Sequence, residues 1–171
     1  HSTMDVLPYF VHRKNIELFT NHEVFTEGEM YSRYEIMVDN YCKTLNIEAR
    51  TLNSMINREI LPAVSREEER LAQAIILKKK AVKGISCEKE EALLKKLSAL
   101  SDALYTACTM FETKRKHAKT IPDFYERGIY YHTEIFTDLE KMRSIIDQME
   151  IIIPSDQWPY PTYYDLLFSV H

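Results

Sequence analysis

Tyr34, Val38, Tyr41, Leu45, Ala49, Leu52, Ile56 and Ile60 recur at alternating steps of three and four. That spacing keeps one face in register at 3.6 residues per turn, and no strand sustains it over so long a run. Three glycines and six prolines are all that the 171 residues offer as breakers, so long helices are the expected currency of the chain. The pattern predicts an all-α fold.

The helix boundaries follow from local chemistry. Pro8 suits the first turn of a small leading helix that ends at Asn21-His22. Thr26-Glu-Gly-Glu29 is a capping box: the hydroxyl can accept from the amide three residues on while Glu29 reaches back. Pro62 lacks an amide donor and crowds the preceding turn, which predicts a kink or break in the first long helix. Ser65-Arg-Glu-Glu68 repeats the capping pattern and predicts a restart carrying Leu71, Ile75 and Val82 inward.

Gly84 suits a left-handed helix exit, and Ser86 with Glu88, Glu90 and Glu91 opens a third helix. Its inward stripe is Leu93, Leu97, Leu100, Leu104, Cys108 and Phe111. After Pro122 a fourth segment turns Phe136, Leu139, Met142, Ile146, Met149 and Ile153 inward until Pro154 stops it. Short connections between such helices imply antiparallel neighbours. A helix of about 30 residues spans roughly 45 Å, so the expectation is an elongated antiparallel bundle of three to four long helices.

Composition narrows the class of partner. A net charge of −4 argues against a dedicated nucleic-acid binder. No apolar run approaches the ~18 residues of a membrane span, so no membrane partner is expected, and no signal peptide is visible. Cys42, Cys87 and Cys108 are odd in number without a C-x-x-C pair, which fits reduced structural thiols in a cytoplasmic protein. His1-Ser-Thr-Met4 reads as a leftover of cloning and is set outside the fold; residues 5–171 read as one helical domain.

Few residues invite a chemical role. Glu48 and Arg50 flank the stripe but stand two apart and do not face each other on a helix, so an ion pair elsewhere in the chain or with another chain is the plain reading. Lys78, Lys79, Lys80 and Lys83 read as a solvated helix end complementing the dipole, or as an anion patch. No Glu or Asp is followed three residues later by His, as a di-iron bundle requires, and His132 reads as a hydrogen-bonded boundary histidine. No phosphate loop, nucleophile elbow or zinc-protease motif occurs. No catalytic, cofactor or metal residue is therefore assigned.

The tail is the most unusual local feature. Trp158, Tyr160, Tyr163, Tyr164 and Phe168 crowd into a short stretch that Pro159 and Pro161 hold extended. Left in water it would expose a large apolar patch. Either it folds back as a strap on the bundle or it docks on a neighbouring subunit.

Two stretches carry a resemblance. Tyr41-Cys-Lys-Thr-Leu-Asn-Ile-Glu-Ala-Arg-Thr51, running on to Glu59-Ile-Leu-Pro-Ala-Val64, is one, and Trp158-Pro-Tyr-Pro-Thr-Tyr-Tyr-Asp-Leu-Leu-Phe168 is the other. Together they resemble the C-terminal helical region of type III glutamine synthetases, known from many anaerobic and photosynthetic bacteria. The resemblance covers Leu7–Val64 and Gly128–Val170, whereas Arg66–Thr120 is generic amphipathic helix. It implies a non-catalytic appendage of an ATP-dependent glutamate–ammonia ligase that uses Mg or Mn. The active site would lie upstream, and the partners would be the catalytic domain of the same polypeptide and neighbouring subunits of a homo-oligomer. Glu48, Arg50, Pro62, Trp158, Tyr160, Tyr163 and Phe168 are then the structural or interface candidates. A freestanding helical interaction module and a small helical enzyme with a polar pocket are the alternatives.

Overall fold

The computed structural model describes residues 3–168. It is helical throughout: α1 (Thr3–Phe10), α2 (Arg13–Asn21), α3 (Glu27–Met55), a π turn π1 (Ile56–Ile60), α4 (Leu61–Ala81), α5 (Glu88–Ala118), α6 (Phe124–Tyr130), a second π turn π2 (Tyr131–Phe136), α7 (Thr137–Glu150) and α8 (Tyr163–Phe168). No strand occurs among the described residues. The residues form two compact units, one of His1–Arg50 with Phe111–Leu139, the other of Thr51–Met110 with Glu140–His171.

The capping box at the start of α3 forms as expected. The Thr26 amide donates to Glu29 Oε2 at 2.7 Å, and the Glu29 amide donates to Thr26 Oγ1 at 3.3 Å. Two backbone bonds thereby satisfy donors that a helix start leaves without partners. The expected stripe is inward: Val38, Leu45, Ala49, Ile56 and Ile60 are buried, while Tyr34, Tyr41 and Leu52 are half-buried.

Pro62 does not force a restart at Ser65. π1 precedes it, and the Leu61 amide donates to the Ile56 carbonyl one residue further back than in an α-helix. The wider turn relieves the clash between a proline ring and the carbonyl four residues earlier. Ile60 and Leu61 keep helical dihedrals, so α4 continues from π1 and Ser65 lies inside it.

The leading segment also differs from expectation. It holds two helices, because the His12 ring accepts from the Lys14 amide and caps α2. Pro8 sits within α1, which already begins at Thr3. Setting residues 1–4 outside the fold misses a core side chain: Met4 is buried and packs on Gly128. A Cβ at Gly128 would stand 2.5 Å from Met4 Cε and 2.9 Å from Val38 Cγ1, so only glycine allows this approach.

In the second unit, α5 doubles back beside α4 through a turn in which Gly84 adopts φ +81°. Lys78 and Lys79 pair with Glu90 and Glu91 at 2.5 and 2.6 Å across that turn. Leu97, Leu104, Cys108, Met142, Ile146, Met149 and Ile153 are buried. Val82 here and Phe136 in the first unit, both expected inward, are exposed. Val82 has left the helix at the C-cap with extended dihedrals. At π2 the inward positions are Tyr131 and Ile135, so the adjacent Phe136 faces outward.

Candidate interface residues

Glu48 and Arg50 lie on the exposed side of α3, with Ile47 also exposed between the buried Leu45 and Ala49. Their charges act on different neighbours. Desolvation raises the Tyr41 phenol, with Glu48 adding to the effect, whereas Glu112 is held low first by Arg115 and, more weakly, by Arg50. The structure does not bring Glu48 and Arg50 together with any polar constellation.

The polar ties of the first unit lie elsewhere. Lys114 on α5 reaches Glu134 and Asp138 at 2.8 and 2.9 Å. Arg115 forks onto Glu112 and touches Asn46 Oδ1 at 3.4 Å. Arg127 meets Asp39 at 3.4 Å and lies over the Phe124 ring. His132 is half-buried, and its Nδ1 lies 3.4 Å from the Tyr41 hydroxyl, as a boundary histidine should be. These contacts fasten α3, α5 and the α6–α7 segment to one another; they do not converge on an open space.

The first unit also carries an open cleft of about 410 Å³ lined by Val11, Arg13, Ile16, Glu17, Glu27 and Tyr31. Arg13 and Glu17 bond each other at 2.8 Å, so much of its charge is internally matched. Among the described residues, no three His, Cys, Asp or Glu side chains gather as a metal group would require.

In the second unit, Pro62 is half-buried directly after π1. Trp158 is only 8% exposed, and its amide donates to the Pro154 carbonyl at 3.0 Å. Tyr160 is half-buried; its hydroxyl oxygen is buried and completes no hydrogen bond of good geometry among the described residues. Glu59 on π1 stands close enough to act on that proton. Burial first, and Glu59 second, push the phenol up to about 12.

The expected consequence is alkaline. An unfolded tyrosine loses its proton near pH ~10, so Tyr160 contributes stability that is whole below that pH and lost as pH rises towards about 12. Tyr160→Phe should flatten the fall of Tm between those limits. It should change Tm little at neutral pH, since the hydroxyl completes no hydrogen bond of good geometry. Equal alkaline slopes for the two proteins would sink this assignment.

The end of the tail behaves differently from Trp158. A further capping box starts α8: the Thr162 amide and hydroxyl donate to Asp165 Oδ2 at 2.9 and 2.7 Å. Leu166, Leu167 and Phe168 are exposed on it. Tyr163 opens α8, but its side chain, like that of Tyr164, lies outside the described residues, as does Val170.

One functional-looking residue went unread in the sequence. Glu67 is 2% exposed, and Arg70 grips both its oxygens at 2.7 and 2.6 Å. Its signal was its spacing: Val64, Glu67 and Leu71 fall on one helical stripe, with a cation three residues on.

Residues 1–80 match the sequence model of the glutamine synthetase C-terminal domain. A glutamine synthetase of Butyrivibrio fibrisolvens is 34% identical over 166 residues, 97% of this chain. The first 80 residues are thus similar to that domain, and nearly the whole chain is similar to part of a glutamine synthetase. A glutamine synthetase of Bacteroides fragilis is 25% identical over 170 residues and 96% of the chain. A type-3 glutamine synthetase of Dictyostelium discoideum is 25% identical over 174 residues and 98% of the chain. These alignments also run through the middle helices, which carry no family signal legible by eye. The chain spans only about a quarter of these relatives, 24%, 23% and 23% of their lengths. No described helix is long and apolar enough to cross a membrane.

Proposed function

We propose that this chain is the non-catalytic C-terminal helical domain of a type III glutamine synthetase and contributes assembly or regulatory contacts to that enzyme. The observation that carries this reading is a nearly full-length match of the chain to one quarter of glutamine synthetases, among them a type-3 enzyme. In this reading the parent is a cytoplasmic homo-oligomer that joins glutamate and ammonia using ATP and Mg or Mn. The reactive groups belong to its catalytic domain, which is the partner of this chain together with neighbouring subunits.

The finer architecture belongs to the same proposal. Residues 5–171 act as one elongated antiparallel bundle, bent at Pro62 and strapped by its aromatic tail. The π turn before Pro62 supports the bend, because an added residue per turn locally redirects a helix. The burial of Trp158 supports the strap.

Two measurements test the function. The purified chain, given glutamate, ammonia, ATP and magnesium, should form no glutamine above a heat-killed control. Full-length enzyme should lose assembly size or regulation when residues 5–171 are deleted. Unchanged size, activity and ligand response in the truncated enzyme would overturn the reading.

A further inference from the structure

The tip of the α4–α5 hairpin is rigidly braced yet apolar. The Lys78–Glu90 and Lys79–Glu91 pairs clamp its two sides and neutralise four charges. Ile76 and Leu77 just before the clamp and Val82 and Ile85 beyond it are exposed, and so are Lys80 and Lys83. No carboxylate occurs between residues 71 and 87. The tip is thus a cationic apolar knob on a chain whose net charge is −4.

α8 offers the complement. Leu166 and Leu167 are 66% and 75% exposed beside the ionised Asp165, and that helix carries no cation. Apolar centres rimmed by opposite charge are the pattern of a specific contact, in which burial supplies affinity and the charges fix the register. Both surfaces belong to the same compact unit, and both stand exposed within one chain.

We propose that the hairpin tip docks on α8 of a second copy of this chain, with Ile76, Leu77, Val82 and Ile85 against Leu166 and Leu167, and Lys80 and Lys83 facing Asp165. Exchanged reciprocally, the contact forms twice about a twofold axis. This inference rests on the assembly reading above and names the surface that such assembly uses.

Sedimentation equilibrium of the chain tests it. Wild-type protein should self-associate, more weakly at high salt. Lys80→Glu with Lys83→Glu should weaken association about tenfold or more, and Leu167→Lys should do the same. Adding Asp165→Lys to the two lysine changes in one chain should restore it, because the charges are then exchanged. Ile85→Cys with Leu167→Cys should give a disulfide-linked dimer on oxidation. Circular dichroism should match wild type throughout, since every altered side chain is exposed.

A chain that stays monomeric at all concentrations, or a triple variant that is not restored, would overturn the contact. So would lysine-dependent binding to phosphatidylserine vesicles without self-association. In those cases the assembly reading is judged separately, by the deletion in the full-length enzyme.

Discussion

Trp158→Ala should lower the Tm of the chain by roughly 10 °C. Truncating a large buried aromatic typically costs about 3–5 kcal/mol, and in a chain of this size each kcal/mol shifts Tm by about 2–4 °C. Trp158 is 8% exposed, and the chain has no other tryptophan. Its fluorescence therefore reports this contact alone. Wild-type emission should be blue-shifted and move to the red as the protein unfolds. Emission like that of free tryptophan, with unchanged stability in the variant, would refute the strap and favour docking of the indole on a neighbouring subunit.

Arg70→Ala should cost about 3 kcal/mol, because it strands the buried carboxylate of Glu67 without its fork. The lower end of the usual range applies, since the Arg70 side chain is itself 54% exposed and water screens part of the pair. Adding Glu67→Met should recover most of the loss, as it removes the buried charge and keeps the side-chain volume. Denaturant melts of the two variants decide it. If the double variant is no more stable than Arg70→Ala, the cost lies in packing of the arginine stem and not in the stranded charge.

Both predictions concern residues whose roles were unequally visible beforehand. Trp158 stood out by size and by its proline neighbours, but two surfaces could have received it. Glu67 was hidden inside a pattern that read as a cap, because Ser65 and Glu68 have the right spacing for one. A capping box requires a helix to begin there, and π1 carries the helix through that point without a new start. Gly128 likewise looked ordinary, and only the approach of Met4 and Val38 explains why it must lack a side chain.

The sequence by itself determined that the chain is helical, where α3 and α5 begin, and which face of each turns inward. Those properties depend on spacing and on side chains within one turn of each other, and both are written along the chain. The similarity to glutamine synthetases was legible too, through residues 41–64 and 158–168. Tertiary structure alone decided that Met4 belongs to a core, that Phe136 faces out where Ile135 faces in, and that Arg70 neutralises a buried Glu67. It also decided that Trp158 is buried while Leu166 and Leu167 are exposed. Each of these depends on the packing of elements around the residue or on a one-residue change of helical phase at a π turn. A local pattern cannot register either.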